Sequence, residues 1–180
     1  MRILVAYGSR YGATKGIAER IGEKLRTAGH DADVRPAKLA GGLTAYDAFV
    51  IGSAAYLGRW LKEAAEFVRR NRVVLAGRPL WLFSSGPLGT ETTDPQGRDL
   101  TVASEPKEIA EFRESVKPRG HRVFFGALDR GKLGFAHRAI AKLPAGRALL
   151  PEGDFRDWQD IEAWAESIAS ELAEGHVGPD

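Results

Sequence analysis

The chain has 180 residues, of which 43% are hydrophobic and 28% are charged, a balance typical of a folded domain with a core of its own. It contains no cysteine, which excludes disulfides, thiolate metal sites and a cysteine nucleophile. No apolar run approaches the roughly 18 residues that a membrane span requires. The first strand is expected to start at Arg2, with no room before it for a signal peptide, and a cytoplasmic location follows as the expectation.

The hydrophobic pattern alternates between strands and helices along the whole chain. In order, it predicts a strand over 2–7, a helix over 14–28, strands over 32–36 and 47–52, a helix over 60–75 and a strand over 80–84. After a polar loop over 86–104 it predicts a helix over 105–117, a strand over 121–127, a short helix over 133–143 and a closing helix over 157–173. Near-continuous apolar strands joined by helices indicate a parallel sheet that is covered on both faces.

These elements predict one α/β domain over residues 1–173, followed by a flexible tail over 174–180. The expected architecture is a doubly wound, five-stranded parallel sheet with strand order 2-1-3-4-5 and helices on both faces. In such a sheet, ligands bind beyond the carboxyl ends of the strands, at the point where the strand order reverses. The loops after the first, third and fourth strands should therefore form the binding site.

The turn after the first strand has the composition of a phosphate site. Ser9, Gly12 and Thr14 lie between an apolar strand and a helix N-terminus, where backbone amides and the helix dipole favour an anion. The order Thr14-Lys15-Gly16 lacks the Gly-Lys-Ser/Thr end of a Walker loop, and the glycine spacing does not fit the dinucleotide fingerprint. The pattern indicates a loop for one terminal phosphate monoester; the alternative is an ordinary strand–helix turn that a threonine caps.

The other two loops have features suited to a flat heterocycle. Residues 53–60 combine small side chains with Tyr56, whose ring could stack on such a ligand. Residues 84–89 are rich in glycine and can present backbone groups to the polar edge of a ring. The alternative for both Tyr56 and Trp60 is ordinary packing of the second helix against its loop.

The first loop resembles the FMN-phosphate loop of flavodoxins, and the likeness extends from Met1 to about Leu172. The resemblance implies a flavodoxin-like fold and FMN as the cofactor, which carries the redox chemistry, with no side chain assigned as catalytic and no metal. It implies phosphate contacts from Ser9, Arg10, Tyr11, Gly12, Ala13 and Thr14. It implies contacts to the isoalloxazine ring from Ala54, Ala55, Tyr56, Leu57 and Gly58, and from Ser85, Gly86, Pro87 and Leu88.

Within that superfamily the chain is similar to the menaquinone-dependent protoporphyrinogen IX oxidases. The likeness rests on Arg10 inside the first loop, on Phe125–Leu128 before a basic insertion, and on Phe155–Trp158 where the insertion ends. The acidic, proline-containing stretch after Thr90 departs from that family. The resemblance implies an oxidoreductase that passes electrons from its substrate through FMN to a quinone.

Two alternatives stay open at this point. A flavodoxin carrier would exchange electrons between protein partners, and a flavin-free module would serve only for interaction. For the oxidoreductase and for the carrier, the partners are a small-molecule or protein donor and acceptor of electrons.

The segment 130–147 is basic and amphipathic, which favours contact with the inner face of an anionic membrane, where a lipid quinone is found, or with the propionates of a porphyrin; the alternative is a solvated helix whose apolar face packs on the sheet edge. No nucleic-acid motif accompanies it, so no nucleic-acid partner is predicted. The four histidines are scattered without ligand spacing, and no metal site is predicted from them. Asp94, Asp99 and Glu105 of the long loop are expected to be solvated.

Overall fold

The computed structural model of the protein describes residues 1–132 and 151–175. Its main sheet contains β1 (Arg2–Gly8), β2 (Asp31–Pro36), β3 (Ala48–Tyr56), β4 (Arg59–Trp60), β5 (Leu80–Ser85) and β6 (Gly120–Phe124). Five of these strands pair in parallel in the order β2-β1-β3-β5-β6, and β4 is attached to β3 as an antiparallel strand. When the short antiparallel strand β4 is left out and the five parallel strands are numbered along the chain, this order is 2-1-3-4-5. It confirms the predicted α/β fold.

Helices cover the sheet on both faces. They are α1 (Ala13–Thr27), α2 (Lys62–Arg70), α3 (Arg72–Ala76), α4 (Leu100–Ala103), α5 (Glu108–Ser115) and α6 (Trp158–Glu174). Within the described residues, three short 3-10 helices lie at Ala37–Leu39, Leu43–Ala45 and Arg130–Lys132. The helices α1 and α6 pack on one face of the sheet, and α2 and α5 pack on the other.

The strand β1 shows why the sheet is buried on both sides. Its side chains alternate between the two cores: Ile3 and Val5 pack with α1 and α6, while Leu4 packs in the core that contains α2 and α5. All three are completely buried. An uninterrupted apolar run is the pattern expected of a parallel strand with helices above and below it.

The predicted helix over 60–75 is wrong at its start and in its middle. Residues 59–60 belong to β4, which pairs with the end of β3, so the helix begins only at Lys62. It is interrupted at Asn71, which separates α2 from α3 and donates a 2.8 Å hydrogen bond from its side chain to the carbonyl of Phe67. An asparagine amide that bonds the backbone in this way competes with continuation of the helix.

The predicted strand over 121–127 is too long at its C-terminal end. The strand β6 ends at Phe124, and a separate two-stranded antiparallel sheet forms from β7 (Ala127–Leu128) and β8 (Gly153–Asp154). The predicted helix over 133–143, most of the basic segment 130–147 and residues 176–180 of the tail lie outside the described residues. Within residues 1–132 and 151–175, no helix is both long enough and apolar enough to cross a membrane.

Candidate functional site

The first loop has the geometry of an anion site. Its last residue, Gly12, has φ +94 and precedes α1, and no side chain caps that end of the helix. The Ser9 Oγ accepts a 3.1 Å hydrogen bond from the Gly12 amide, which closes the loop and leaves the hydroxyl proton free to point elsewhere. Because the first-turn amides of an uncapped helix have no intrahelical acceptor, they are donors for a bound anion.

A cavity of about 280 Å³ adjoins this loop. It is lined by Tyr7, Gly8, Ser9, Arg10, Gly12, Lys15, Pro36, Lys38 and Glu63. Three of the lining side chains are cations and only one is a carboxylate. This charge balance favours a ligand with a negatively charged end.

The second loop is a tight β-hairpin that presents apolar side chains. Leu57 and Gly58 connect β3 to β4 with φ +52 and φ +69, values that fit a two-residue turn of the type found in β-hairpins. The side chain of Leu57 is fully exposed at the tip, and Tyr56 beside it is 37% exposed. A leucine with positive φ is uncommon, so the hairpin tip combines an unfavourable backbone with an exposed apolar group.

The hairpin is held from behind by the start of α5. The amide of Trp60 donates a 3.1 Å hydrogen bond to Oε2 of Glu108, and the amide of Lys107 donates a 3.1 Å bond to the carbonyl of Gly58. Glu108 is only 6% exposed, and Arg59 lies 3.5 Å from its carboxylate. These contacts fix the hairpin at the C-terminal edge of the sheet.

The third loop packs against the second and against the end of β6. Gly86 donates a 3.2 Å backbone hydrogen bond to Phe124, and the Pro87 carbonyl accepts a 2.8 Å bond from the Gly126 amide. A Cβ atom on Gly86 would lie 3.4 Å from the Cβ of Ala55. The small residues predicted in these loops therefore allow the two turns to approach each other closely.

The first loop contacts the second loop and shares a packing partner with the third. The guanidinium of Arg10 lies 5.5 Å from the ring centre of Tyr56, in the range of a cation–π contact. Tyr11 of the first loop and Leu88 of the third loop each pack against Leu128 of β7. Burial and the neighbouring Tyr11 raise the pKa of Tyr56, while Arg10 opposes that change, so the phenol stays neutral at physiological pH. The structure thus brings residues of all three predicted loops together.

Two residues of the second loop, Trp60 and Ser53, are buried and stabilise the fold and are not available to contact a ligand. Trp60 is 4% exposed and packs edge-on against Phe112 with ring centres 5.4 Å apart, so it is not available to stack on a ligand. Ser53 is completely buried, where its Oγ donates to the Ala54 carbonyl at 2.9 Å and accepts from the Leu61 amide at 3.0 Å. Its hydroxyl links β3 to the residue that follows β4, at the base of the hairpin.

A polar chain that runs from the buried Ser84 to the exposed Arg113 has no signal in the sequence. The Ser84 Oγ lies 2.9 Å from Nε2 of His121, whose Nδ1 lies 3.3 Å from the Glu105 carboxylate, which also accepts a 2.7 Å bond from Arg113. Burial lowers the pKa of His121, although Glu105 opposes the change. The order serine, histidine, carboxylate is that of a hydrolase triad, but Ser84 is completely buried within β5, so the chain is structural.

The expectation that the acidic residues of the long loop are solvated is wrong for two of them. Glu105 takes part in the chain just described, and the side chain of Asp94 is 8% exposed. Asp94 accepts 2.9 and 2.8 Å bonds from the amides of Gln96 and Arg98, and Asp99 accepts a 2.7 Å bond from the Thr101 amide at the start of α4. Short acidic side chains close turns in this way.

A second cavity of about 310 Å³ also adjoins the first loop. It is lined by residues 11–13, 127–129 and 152–154, together with Lys132 and Arg156. Its two cations and three carboxylates leave no clear preference for one charge. Among the residues that the structure describes, no group of three or more histidine, aspartate or glutamate side chains is placed to hold a metal ion.

A comparison with family models finds one that matches residues 4–146, described as a flavodoxin domain. A comparison with curated protein sequences finds no match.

Solved structures with the same fold include a flavodoxin from the domain Archaea, which is 18% identical with a TM-score of 0.57 over 96% of this chain and 99% of that one. A cysteine-to-serine mutant of flavodoxin from Pseudomonas aeruginosa is also 18% identical, with a TM-score of 0.59 over 96% and 99% of the two chains. Rubredoxin oxygen:oxidoreductase from Desulfovibrio gigas is 12% identical with a TM-score of 0.62, and the match covers 98% of this chain but only 37% of that larger one.

Proposed function

Because this chain belongs to the flavodoxin-domain family, we propose that it binds FMN at the three loops and passes electrons between a donor and an acceptor. The observation that carries the proposal is the convergence of those loops at one edge of the sheet. There the uncapped start of α1, flanked by Arg10, lies next to the exposed pair Tyr56 and Leu57. An anion site beside an apolar surface suits a ligand that has a phosphate at one end and a flat ring at the other.

The residues of the first loop would hold the phosphate. The Ser9 and Thr14 hydroxyls, the first-turn amides of α1 and the cations that line the adjoining cavity would be the donors for it. Tyr56, Leu57, Pro87 and Leu88 would contact the ring and exclude water from it. FMN supplies the redox chemistry when it is bound, so no side chain of the chain has to act as acid or base.

Ligand identification tests this proposal directly. Boiling the purified protein should release FMN, and the FMN-free protein should bind added FMN and recover the absorbance of the flavin. Thr14→Val should weaken FMN binding by about 1.5–3 kcal/mol, because it removes one hydroxyl donor to a charged group. Thr27→Val is the matched control at the other end of α1, where the hydroxyl bonds only the Glu23 carbonyl.

A colourless protein that does not bind added FMN would exclude both redox functions and leave the flavin-free interaction module. Equal FMN affinity of the Thr14→Val and Thr27→Val variants would mean that the Thr14 hydroxyl does not contact the phosphate.

For the reaction itself, we propose transfer of electrons from a protoporphyrinogen-type substrate through FMN to a quinone. The support is the resemblance carried by Arg10 in the first loop and by the residues on either side of the basic insertion. In the structure Arg10 contacts Tyr56 of the hairpin, Ala127 and Leu128 form β7, and Phe155–Trp158 follow directly after its partner strand β8. The proposed location is cytoplasmic, with peripheral membrane contact through the basic segment.

Turnover assays separate this reaction from that of a flavodoxin carrier, which the matching solved structures support equally well. Oxidation of protoporphyrinogen IX with a menaquinone analogue as acceptor supports the enzyme. Electron exchange only with a flavodoxin reductase or a ferredoxin supports the carrier.

A further inference from the structure

A glycine in the first helix has an unusual neighbour. Gly16 is the fourth residue of α1, where glycine costs about 0.5–1 kcal/mol relative to alanine. A Cβ atom at this position would lie only 2.6 Å from Nη1 of Arg156, a residue about 140 positions further along the chain. The guanidinium of Arg156 thus occupies the space that an alanine methyl group would fill.

Two neighbouring side chains, those of Asp154 and Trp158, hold the guanidinium of Arg156. Its Nε and Nη2 donate 2.7 and 2.6 Å hydrogen bonds to the two carboxylate oxygens of Asp154. Its plane lies over the ring of Trp158, with the guanidinium carbon 4.3 Å from the ring centre. Its side chain is only 15% exposed. An arginine held by a bidentate carboxylate pair and an aromatic face has little freedom to move.

The remaining nitrogen of this arginine reaches the first loop. Nη1 donates a 3.2 Å hydrogen bond to the carbonyl of Ala13, the first residue of α1 and the residue after Gly12. Arg156 itself lies between β8 and α6, so it ties that connection to the end of α1 at which the first loop closes. The backbone amides proposed to bind the phosphate belong to the same first turn of α1 that Arg156 contacts.

We propose that Arg156 is a positioning residue that fixes the first turn of α1 so that its amides are pre-oriented for the phosphate, and that Gly16 is glycine because this arginine needs its space. The inference rests on the proposed function because that function supplies FMN as the ligand. The contact between Arg156 and Gly16 is seen in the structure and holds whether or not FMN binds. Asp154 offsets the positive charge of Arg156, so the contribution is one of geometry. Pre-orientation of donors raises affinity because less ordering is required when the ligand binds.

The FMN affinity of three variants tests the positioning role. Arg156→Ala should weaken binding by about tenfold, within the range expected when a hydrogen bond that orders a charged site is lost. Arg156→Lys should show a similar loss, because lysine keeps the charge but cannot make the bidentate, planar contact. Arg20→Ala is the matched control: Arg20 lies on the same Trp158 ring at 5.2 Å and pairs with Glu162 at 2.6 Å.

The control should leave FMN affinity unchanged. Wild-type affinity in Arg156→Ala would overturn the inference. Wild-type affinity in Arg156→Lys would overturn it too, since charge and not geometry would then be sufficient.

A double-mutant cycle without any ligand tests the link to Gly16. In FMN-free protein, Gly16→Ala should stabilise the Arg156→Ala variant, since alanine favours the helix and its methyl group meets no guanidinium. In the wild-type background, Gly16→Ala should not raise the melting temperature, because the new methyl group displaces the Arg156 guanidinium from its contacts. Equal shifts in both backgrounds would show that the two residues are not coupled and would overturn the inference.

Gly16→Ala alone should also reproduce the loss of FMN affinity of Arg156→Ala, and the double variant should bind no more weakly than either single one. Additive losses would count against a shared cause. If the wild-type protein does not bind FMN, the proposed function fails, whereas the thermal cycle still decides whether Arg156 and Gly16 are coupled.

Discussion

The indole Nε1 of Trp60 donates a 2.7 Å hydrogen bond to the Oγ of Ser84, which joins the hairpin strand β4 to the inner strand β5. Both side chains are buried, and the same hydroxyl lies 2.9 Å from Nε2 of His121. Ser84 is therefore the point at which the second loop, the third loop and the edge strand β6 share one polar contact. Its neighbour Ser85 is one of the residues predicted to contact the flavin.

Replacing Ser84 should destabilise the protein more than its small volume suggests. Ser84→Ala leaves the indole N–H without its acceptor, and a buried unsatisfied donor costs about 1–3 kcal/mol. Trp60→Phe should cost less in the Ser84→Ala background than in the wild type, because the donor that needs Ser84 is already unpaired there. Urea unfolding measures both effects, with the exposed Ser115→Ala as control. A loss in Ser84→Ala no larger than in Ser115→Ala would contradict the predicted role.

Gly52 should not tolerate a side chain. It lies in the middle of β3, where a Cβ atom would overlap the buried ring of Phe83 on β5. Gly52→Ala should cost about 1–3 kcal/mol or more, because the ring must leave its position in a close-packed core. Gly41→Ala is the control, since nothing lies within 4 Å of a Cβ there. Similar melting temperatures for the two variants would contradict this prediction.

The fold was predictable because its strongest signals are local. The run from Ile3 to Ala6 is completely buried in the structure, as its uninterrupted apolar pattern indicates for a parallel strand. The loop before α1 was also predictable from a local feature, the glycine at position 12. Gly12 has the positive φ that a sharp entry to the helix requires, and glycine adopts that conformation without strain. Both features depend on a few consecutive residues.

The features that were not predictable depend on distant residues. Residues 59–60 become a strand because they pair with the end of β3 and are held by Glu108, 48 positions beyond Trp60. His121 is buried only because Ser84 and Glu105 come from two other parts of the chain. Arg156 meets Gly16 across most of the domain. The spacing of residues within one segment cannot predict contacts of this kind, because each contact joins segments that are far apart in the sequence.

The stability of the protein should fall as the pH decreases from about 7 to about 5. Burial lowers the pKa of His121 in the folded state, whereas in the unfolded chain it is about 6.5. The unfolded state therefore binds more protons below that value, and stability present at higher pH is lost as the histidine is protonated on unfolding. Arg113 lowers the pKa of Glu105, so the stability that this carboxylate contributes is fully present above its ordinary pKa of about 4.5 and is lost only at lower pH, outside this range.

Melting temperatures across this range test the effect. His121→Gln should flatten the dependence on pH between 7 and 5. Burial also lowers the pKa of His30, so His30→Gln serves as the comparison and should remove a smaller part of the dependence. An unchanged slope in His121→Gln would exclude this histidine as the cause.

Leu57 should show opposite effects on stability and on ligand binding. Its φ of +52 is unfavourable for leucine, and Asn-Gly is the sequence that a two-residue hairpin turn prefers. Leu57→Asn should therefore stabilise the FMN-free protein by about 1 kcal/mol. The same change removes the exposed apolar group at the hairpin tip and should weaken FMN binding, by up to about 2 kcal/mol if the leucine is covered by the ring. Thermal melting and an FMN titration measure the two effects separately.

The control for Leu57 is Leu39→Asn, which replaces another exposed leucine in a 3-10 turn away from the hairpin. It should leave FMN affinity unchanged and bring no gain in stability, because Leu39 is not among the residues with positive φ. If Leu57→Asn lowers both stability and affinity, the leucine serves the packing of the hairpin. If it raises stability and leaves affinity unchanged, the ring does not lie against the hairpin tip. Only a gain in stability together with a loss of affinity agrees with a strained, exposed leucine that is kept for its ligand.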